Sequence, residues 1–468
     1  MRFRSLLVTL LVAAIAIGCA APAAAPAPAA PASAEPAAPA AAPAAAATTA
    51  PAPAAAAPEA TATKVPQQAA PGAVKVTYWR SLTGAAGDAQ DELVRRFNES
   101  QSEVFVDVQF QGAYAELVQK LQAGLVAGEV PDLVLLDSPF VVLFAKEGVL
   151  VPLDEMAADA SKGLDLGRFI PGLIQDGYYD GSLYALPLMR STPLLYYNRD
   201  LFQEVGLPDR VPETWDEFKE FCAKLTKMEG DQPVRVGASF TMGQTTAHWY
   251  FQGAVYAFGG EVSDADFNIK LTEPEAKAAA QLWQDLVFKD KIAMAGIEDA
   301  QTDFLNGRAG MVFGSTGSMA NLMSKATFQL GAGFMPAQVK RQVPVGGSVI
   351  AMTSTDKARQ AATWEFMKWV TSPENNAYIV EKTGYMPTSE ASMEVESLKA
   401  YYEKYPERKV AVEQLQYARP QASVISLGKG TEILRSAVEK LLVANMPVDQ
   451  VMEEAAAELT KEYEETFE

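Results

Sequence analysis

Near the middle of the chain run Tyr184-Ala185-Leu186-Pro187-Leu188, then Met189-Arg190-Ser191-Thr192-Pro193, then Leu194-Leu195-Tyr196-Tyr197-Asn198. Two apolar runs flank a small polar break. Pro193 lacks an amide and turns Thr192 toward an extended backbone, so the segment reads as a connector between two bodies rather than as a central strand. Residues 199–206 then read as a short helix, with Leu201, Phe202 and Val205 on one stripe and Gly206 as its stop. A hinge at this point, with a ligand held between the lobes it joins, is the organisation implied.

Upstream, Val74-Lys75-Val76-Thr77-Tyr78-Trp79 alternates as a strand, followed by a turn with Gly84 and Gly87 and a helix carrying Leu93, Val94 and Phe97. Residues 104–110 read as a second strand, Leu117, Val118, Leu121 and Leu125 share a helix face, and 132–136 read as a strand that is wholly apolar after Asp132. This β-α-β-α-β alternation implies an α/β fold with a mainly parallel sheet covered by helices. In such open sheets ligands sit beyond the carboxyl ends of the strands. Those ends carry Trp79-Arg80-Ser81, residues 111–114 with Tyr114, and Asp137-Ser138.

Downstream, residues 212–303 are helix-rich with one strand-like piece at 234–240, and Met311-Val312-Phe313 runs into Gly314-Ser315-Thr316-Gly317-Ser318. The pattern of the first lobe repeats. Residues 331–335 and 345–352 read as further strands, the latter as the return crossing. Ser372-Pro373-Glu374 caps a helix that ends at Gly384, and the remainder reads as helices. The expected lobes are 73–190 with 345–388, and 191–344 with 389–468.

A chain of 468 residues with 49% hydrophobic content is too large for one ordinary domain. Its formal net charge of -19 disfavours a nucleic acid or an anionic membrane surface as partner. At the N-terminus Arg2 and Arg4 precede an apolar run at 6–17 closed by Gly18-Cys19, an export signal over 1–19 that ends in a lipobox, with Ala16 in place of the usual leucine. The run is too short to span a bilayer. Lipidation of Cys19 is expected, with ordinary signal cleavage in the following alanine-rich segment as the alternative. That places the protein outside the cytoplasmic membrane, periplasmic or at the cell surface, and touching the bilayer only through its lipid.

Residues 20–72 are nearly all alanine and proline, and prolines every few residues prevent a helix, so a disordered tether is expected, extending at most about 3 Å per residue. The other cysteine, Cys222, shares a helix face with Trp215, Phe218 and Leu225 and reads as an inert core thiol.

Standard catalytic signatures are missing. His248 is the single histidine, so a zinc site or a Ser-His-Asp triad would rest on it alone. Neither Gly314-Ser315-Thr316-Gly317 nor Gly346-Gly347-Ser348 makes a nucleophile elbow, and Gly428-Lys429 runs into Gly430 rather than Ser or Thr. Asp264, Asp266, Asn268 and Glu275 have calcium-loop spacing, but Ile269 replaces the glycine the turn requires; a strand over Leu271-Thr272-Glu273-Pro274 that ends at a helix cap is the better reading. No catalytic residue, metal or cofactor is therefore expected. A secreted glycan hydrolase using two of the 58 carboxylates is the main enzyme alternative. Against it, the strand ends offer Ser, Thr, Gly, Tyr and Trp, which suit stacking and hydrogen bonding to a polar ligand; Trp79, Tyr114 and Tyr385 are assigned to the cleft.

Several segments in the same order carry a resemblance: Tyr78-Trp79-Arg80-Ser81 with Gly84, Arg96-Phe97-Asn98, Gln111-Gly112-Ala113-Tyr114, Ser191-Thr192-Pro193 through Asn198, Gly314 to Asn321, Gly346-Gly347, and Lys382 to Pro387. In these the chain resembles the substrate-binding proteins of ABC importers, of the type II periplasmic-binding fold, and most closely the glycerol-3-phosphate-binding members. The resemblance implies a monomeric, two-lobed protein that closes on a small polar solute and delivers it to the transmembrane subunits of an ABC permease. It implies ligand-contacting positions at Tyr114, Ser191, Ser315, Gly347 and Tyr385. Ser138 stands where the glycerol-phosphate binders carry Glu, and Ser426 where they carry an Arg that holds phosphate. A hydrogen bond to a charged group is worth roughly 1.5 to 3 kcal/mol, so loss of that Arg weakens phosphate binding about ten- to a hundred-fold unless Arg80 or Arg190 substitutes. Two solute classes stay open, a neutral sugar or polyol and a glycerophosphate-type anion. A sensory binding protein that feeds a membrane receptor is the other competing class.

Overall fold

Alternation along residues 74–80 buries Val76 and Tyr78 while Lys75 stays in solvent, and this pattern seeds the first of two sheets in the computed structural model. The structure describes residues 68–242, 246–296 and 299–467; the export signal, Cys19 and the tether up to residue 67 lie outside the described residues.

The principal strands are β1 (Val74–Arg80), β2 (Val104–Phe110), β3 (Leu133–Asp137), β4 (Ala185–Ser191), β5 (Pro193–Asn198), β6 (Gln232–Thr241), β7 (Ala293–Gly296), β8 (Ala309–Ser315), β9 (Leu330–Gly333) and β10 (Gly346–Met352). The first sheet has the order β2-β1-β3-β10-β4 and the second β7-β6-β8-β5-β9. In each, one strand pairs parallel with two neighbours, β1 with β2 and β3, β6 with β7 and β8. Two further strands then add antiparallel pairings. The two lobes are thus variants of one α/β plan.

The central segment differs from its reading as a connector. All seven residues of β4 and all six of β5 are buried, β4 closing the edge of the first sheet and β5 lying inside the second. Pro187 is accommodated because β4 is an edge strand whose pairing with β10 slips at Ser348/Val349 and leaves Leu188 bulged. Pro193 opens β5, where no preceding ladder bond is required of it. The outward crossing is therefore the short step from Ser191 to Pro193.

The helices that cover these sheets include α1 (Gly84–Ser100), α2 (Tyr114–Ala127), α3 (Phe140–Lys146), α4 (Trp215–Leu225), α5 (Ala247–Ala257), α6 (Pro274–Gln284), α7 (Ala300–Leu305), α8 (Met319–Lys325), α9 (Lys357–Val370), α10 (Pro373–Thr383), α11 (Glu396–Lys404), α12 (Gly430–Leu442) and α13 (Val448–Phe467). In the first lobe Phe97 of α1 meets Phe366 of α9 edge-on with ring centroids 5.0 Å apart. In the second, Trp215, Phe218, Phe240, Trp283 and Phe313 form one aromatic core. Cys222 is buried there, and burial pushes its thiol well above the usual range. Gly237 explains how closely β6 passes α4, since a Cβ there would sit 2.1 Å from the Cα of Cys222.

Leu398 and Tyr402 of α11 pack with Ala377 and Val380 of α10, whereas α12 and α13 join the second core. The first lobe consequently gathers residues beyond 388. The calcium-like stretch is a local turn in which the Asp264 carboxylate accepts the backbone N–H groups of Asp266 and Asn268. No strand forms over 271–274; Glu273 caps α6 directly.

Candidate functional site

The strand ends of both sheets converge on a cavity of about 530 Å³ between the lobes. Its first-lobe wall is the loop Leu82, Thr83 and Gly84 with Phe110, Tyr114 and Asp137, and its floor is Ser191, Gly346 and Gly347 from the crossing strands. The second lobe contributes His248 and Trp249 from α5, Ser315 from β8, and Ser318 and Asn321 around α8. Tyr385 and Gln421 complete the enclosure, and Lys325 stands exposed at the rim.

Beneath the floor, Arg190 is 0% exposed and donates to the main-chain oxygen of Gly347 at 2.9 Å and to the Asp176 carboxylate. The hydroxyl of Ser138 donates to that same carboxylate at 2.9 Å, and its N–H to the Gly347 oxygen at 3.2 Å. Only glycine fits at 347, where φ is +85° and a Cβ would lie 2.1 Å from the Met189 oxygen.

Asp137 ends β3 and faces the cavity, half-buried. Desolvation pushes its carboxyl up to about 7; the Arg190 charge and the Ser138 N–H pull the other way, and Asp176 adds to the rise. The Tyr114 hydroxyl shares a hydrogen bond with that of Ser348. Burial holds the Tyr385 phenol up to about 12, and its ring lies so close over Gly317 that a Cβ there would sit 2.5 Å from it. The Ser315 hydroxyl accepts the Gly317 N–H at 3.1 Å, and Tyr196 donates to the Ser315 main-chain oxygen at 2.7 Å, which fixes the end of β8.

His248 is 2% exposed, and burial drops its imidazole to about 3, so it is neutral at any physiological pH. Its Nδ1 and the Nε1 of Trp249 have no hydrogen-bond partner among the described residues. The ionisable lining is accordingly sparse. Among the described residues, the Asp137 carboxylate and the Lys325 ammonium at the rim face a wall of hydroxyls, amides and aromatic rings.

The structure brings together Tyr114, Asp137, Ser191, Ser315, Gly347 and Tyr385. Trp79, assigned to the cleft from its strand end, faces elsewhere: its indole N–H donates to the Gln109 side chain at 3.1 Å and its ring packs with the apolar cluster around α2. The pleat sends Trp79 to the opposite side from Tyr78 and Arg80. Arg80 is bound to both carboxylate oxygens of Asp91, at 2.7 and 2.9 Å, and donates to the Leu82 carbonyl at 2.9 Å. It holds the cavity loop without lining the cavity. Arg190 and Ser138 lie beneath the floor, and Ser426 is buried with its hydroxyl donating to Ser423 at 2.7 Å. Neither arginine therefore stands in for the phosphate-holding Arg.

The expected set omitted Phe110, Trp249, Ser318, Asn321 and Gln421. Ser318 and Asn321 follow the end of β8, so the strand-end rule was sufficient to find them. Gln421 arrives from a C-terminal turn with no local signal.

Residues 92–410 match the model of a family described as bacterial extracellular solute-binding protein. The sn-glycerol-3-phosphate-binding periplasmic protein UgpB of Pectobacterium atrosepticum is 29% identical over 363 residues, 74% of this chain and 80% of that protein. UgpB from Mycobacterium tuberculosis, crystallised with glycerophosphocholine, superposes with a TM-score of 0.77 at 28% identity, covering 85% of this chain and all 100% of that one. Maltose-bound MalE3 of T. maritima gives 0.71 at 25% identity, over 83% and 100% of the two chains. A polar cavity enclosed by two α/β lobes and a family match over well more than half of its length lead to one conclusion: the chain belongs to the bacterial extracellular solute-binding proteins.

Proposed function

We propose that the protein captures a neutral carbohydrate or polyol between its lobes and delivers it to the transmembrane subunits of an ABC permease. The observation that carries this reading is the charge content of the cavity. Arg80 and Arg190 are spent on Asp91 and Asp176, Ser426 is turned away, and among the described residues Asp137 is the acid on the lining. A carboxylate and several hydroxyls accept sugar O–H groups, the unpartnered Trp249 Nε1 is a donor, and Tyr385 and Trp249 offer ring faces to sugar C–H groups.

The glycerophosphate reading is the second one, supported by the names of the UgpB relatives and by Lys325 at the rim. Calorimetric titration with maltose, mannobiose, glycerol, glycerol 3-phosphate and glycerophosphocholine separates the two. Binding of an uncharged sugar or polyol with no response to the phosphates is expected; tight binding that requires the phosphate overturns the carbohydrate reading.

The same proposal includes anchoring through Cys19, a tether over 20–72, and a monomeric body whose lobes are 73–190 with 345–404 and 191–344 with the helices that follow, the packing of α11 against α10 supporting the shift of the last boundary from 388. Radiolabelled palmitate incorporation that is lost in Cys19→Ser tests the anchor. Uptake that depends on the permease separates import from a sensory role.

A further inference from the structure

A second groove, of about 580 Å³, lies between α7 and α8. It shares Asn321 and Lys325 with the interlobe cavity, two exposed residues four apart on α8, so a molecule seated in the cavity has a path across that pair into the groove. We propose that this groove takes the further units of an oligosaccharide whose first unit occupies the cavity, an inference that rests on the carbohydrate reading and narrows it to substrates longer than one ring.

The chemistry of the walls supports that occupant. Asn306 and Thr327 are exposed, the Thr302 hydroxyl donates to Asp299 at 3.0 Å and keeps its lone pairs for an incoming hydroxyl, and the Gln301 amide donates to Ser318 at 3.2 Å, linking the groove wall to the cavity wall. Phe328 supplies an aromatic side, its ring held edge-on by Phe304 with centroids 5.1 Å apart. Amides, hydroxyls and the Asp299 carboxylate beside a fixed ring can all bond sugar hydroxyls, with the Lys325 ammonium at the boundary shared with the cavity; a small polyol would occupy only part of the cavity and reach none of these groups.

The test is calorimetric titration of the full chain with two length series, glucose to maltotetraose and mannose to mannotriose, with glycerol 3-phosphate alongside. In at least one series affinity should rise about tenfold or more from one unit to three, as extra buried contacts offset a cost of association already met. Asn306→Trp, which fills the groove, should abolish that rise and leave the one-unit affinity unchanged; the double truncation Asn306→Ala with Thr327→Ala should reduce the rise several-fold without disturbing the fold. Equal affinity for one and three units, or a rise that survives Asn306→Trp, overturns the groove and leaves the carbohydrate reading standing. Response to glycerol 3-phosphate with none to either series overturns both.

Discussion

The guanidinium of Arg190 reaches across from β4 to donate to the main-chain oxygen of Gly347 on β10 at 2.9 Å, so the outward and return crossings are tied to each other directly beneath the cavity. The cavity floor and the two strand crossings between the lobes are built from the same few atoms.

Removing that tie should cost more than a surface contact. Arg190→Met strips the Asp176 carboxylate of its charged partner and leaves Ser138 as the donor to both that carboxylate and the Gly347 oxygen, and breaking a buried pair by deleting one partner costs about 3 to 5 kcal/mol. Chemical denaturation should show that loss, and Arg190→Lys should rescue little of it, because an ammonium cannot hold both acceptors in the geometry of the planar fork.

Gly347→Ala should damage stability and binding together. The positive φ alone costs about 1 to 3 kcal/mol for a residue with a Cβ, and the clash with the Met189 oxygen adds to it. A lowered melting temperature with weakened ligand binding is the expected pair of results in thermal-shift measurements.

Asp137 predicts the pH dependence. Its folded value of about 7 stands above its ordinary one near 4, so the folded apo protein holds the proton more tightly than the unfolded chain. That contribution to stability is full below about pH 4 and is lost as pH rises through about 7. A solute that donates hydroxyls to the carboxylate needs the ionised form, so affinity should rise between pH 6 and pH 8, by about tenfold for one charge-assisted bond. Asp137→Asn should flatten the profile, weaken binding at pH 8 and stabilise the apo protein there. His248 contributes nothing in that window, since it stays neutral.

Arg80→Gln tests a residue that acts only through the loop it holds. Leu82 sits at φ 72°, and Arg80 anchors its carbonyl. Losing the anchor should lower affinity several-fold through a slower on-rate and leave the pH profile unchanged, readable by stopped-flow tryptophan fluorescence.

Much of the architecture was legible because burial on one face imposes a period. Leu93, Val94 and Phe97, or Val76 and Tyr78, announce their elements whatever surrounds them, and strand ends are where such sheets leave room for a ligand; Tyr114, Asp137 and Ser315 follow from that rule. Proline chemistry misled at 184–198, where Pro193 argued against a central strand; the opening position of β5 accommodates it, as a bulge at Leu188 accommodates Pro187 in β4.

Sequence by itself determined the two-lobed α/β plan and the crossing near Ser191, because these depend on residue type and local spacing. Tertiary structure alone decided which charges are available to a ligand. Arg80 and Arg190 are equal candidates as letters, yet folding brings Asp91 and Asp176 to neutralise them, turns Trp79 to the far side of β1, and carries Trp249 and Gln421 in from distant segments. A charge acts on a ligand only when no nearer partner has claimed it, and which partner is nearer is a property of three dimensions.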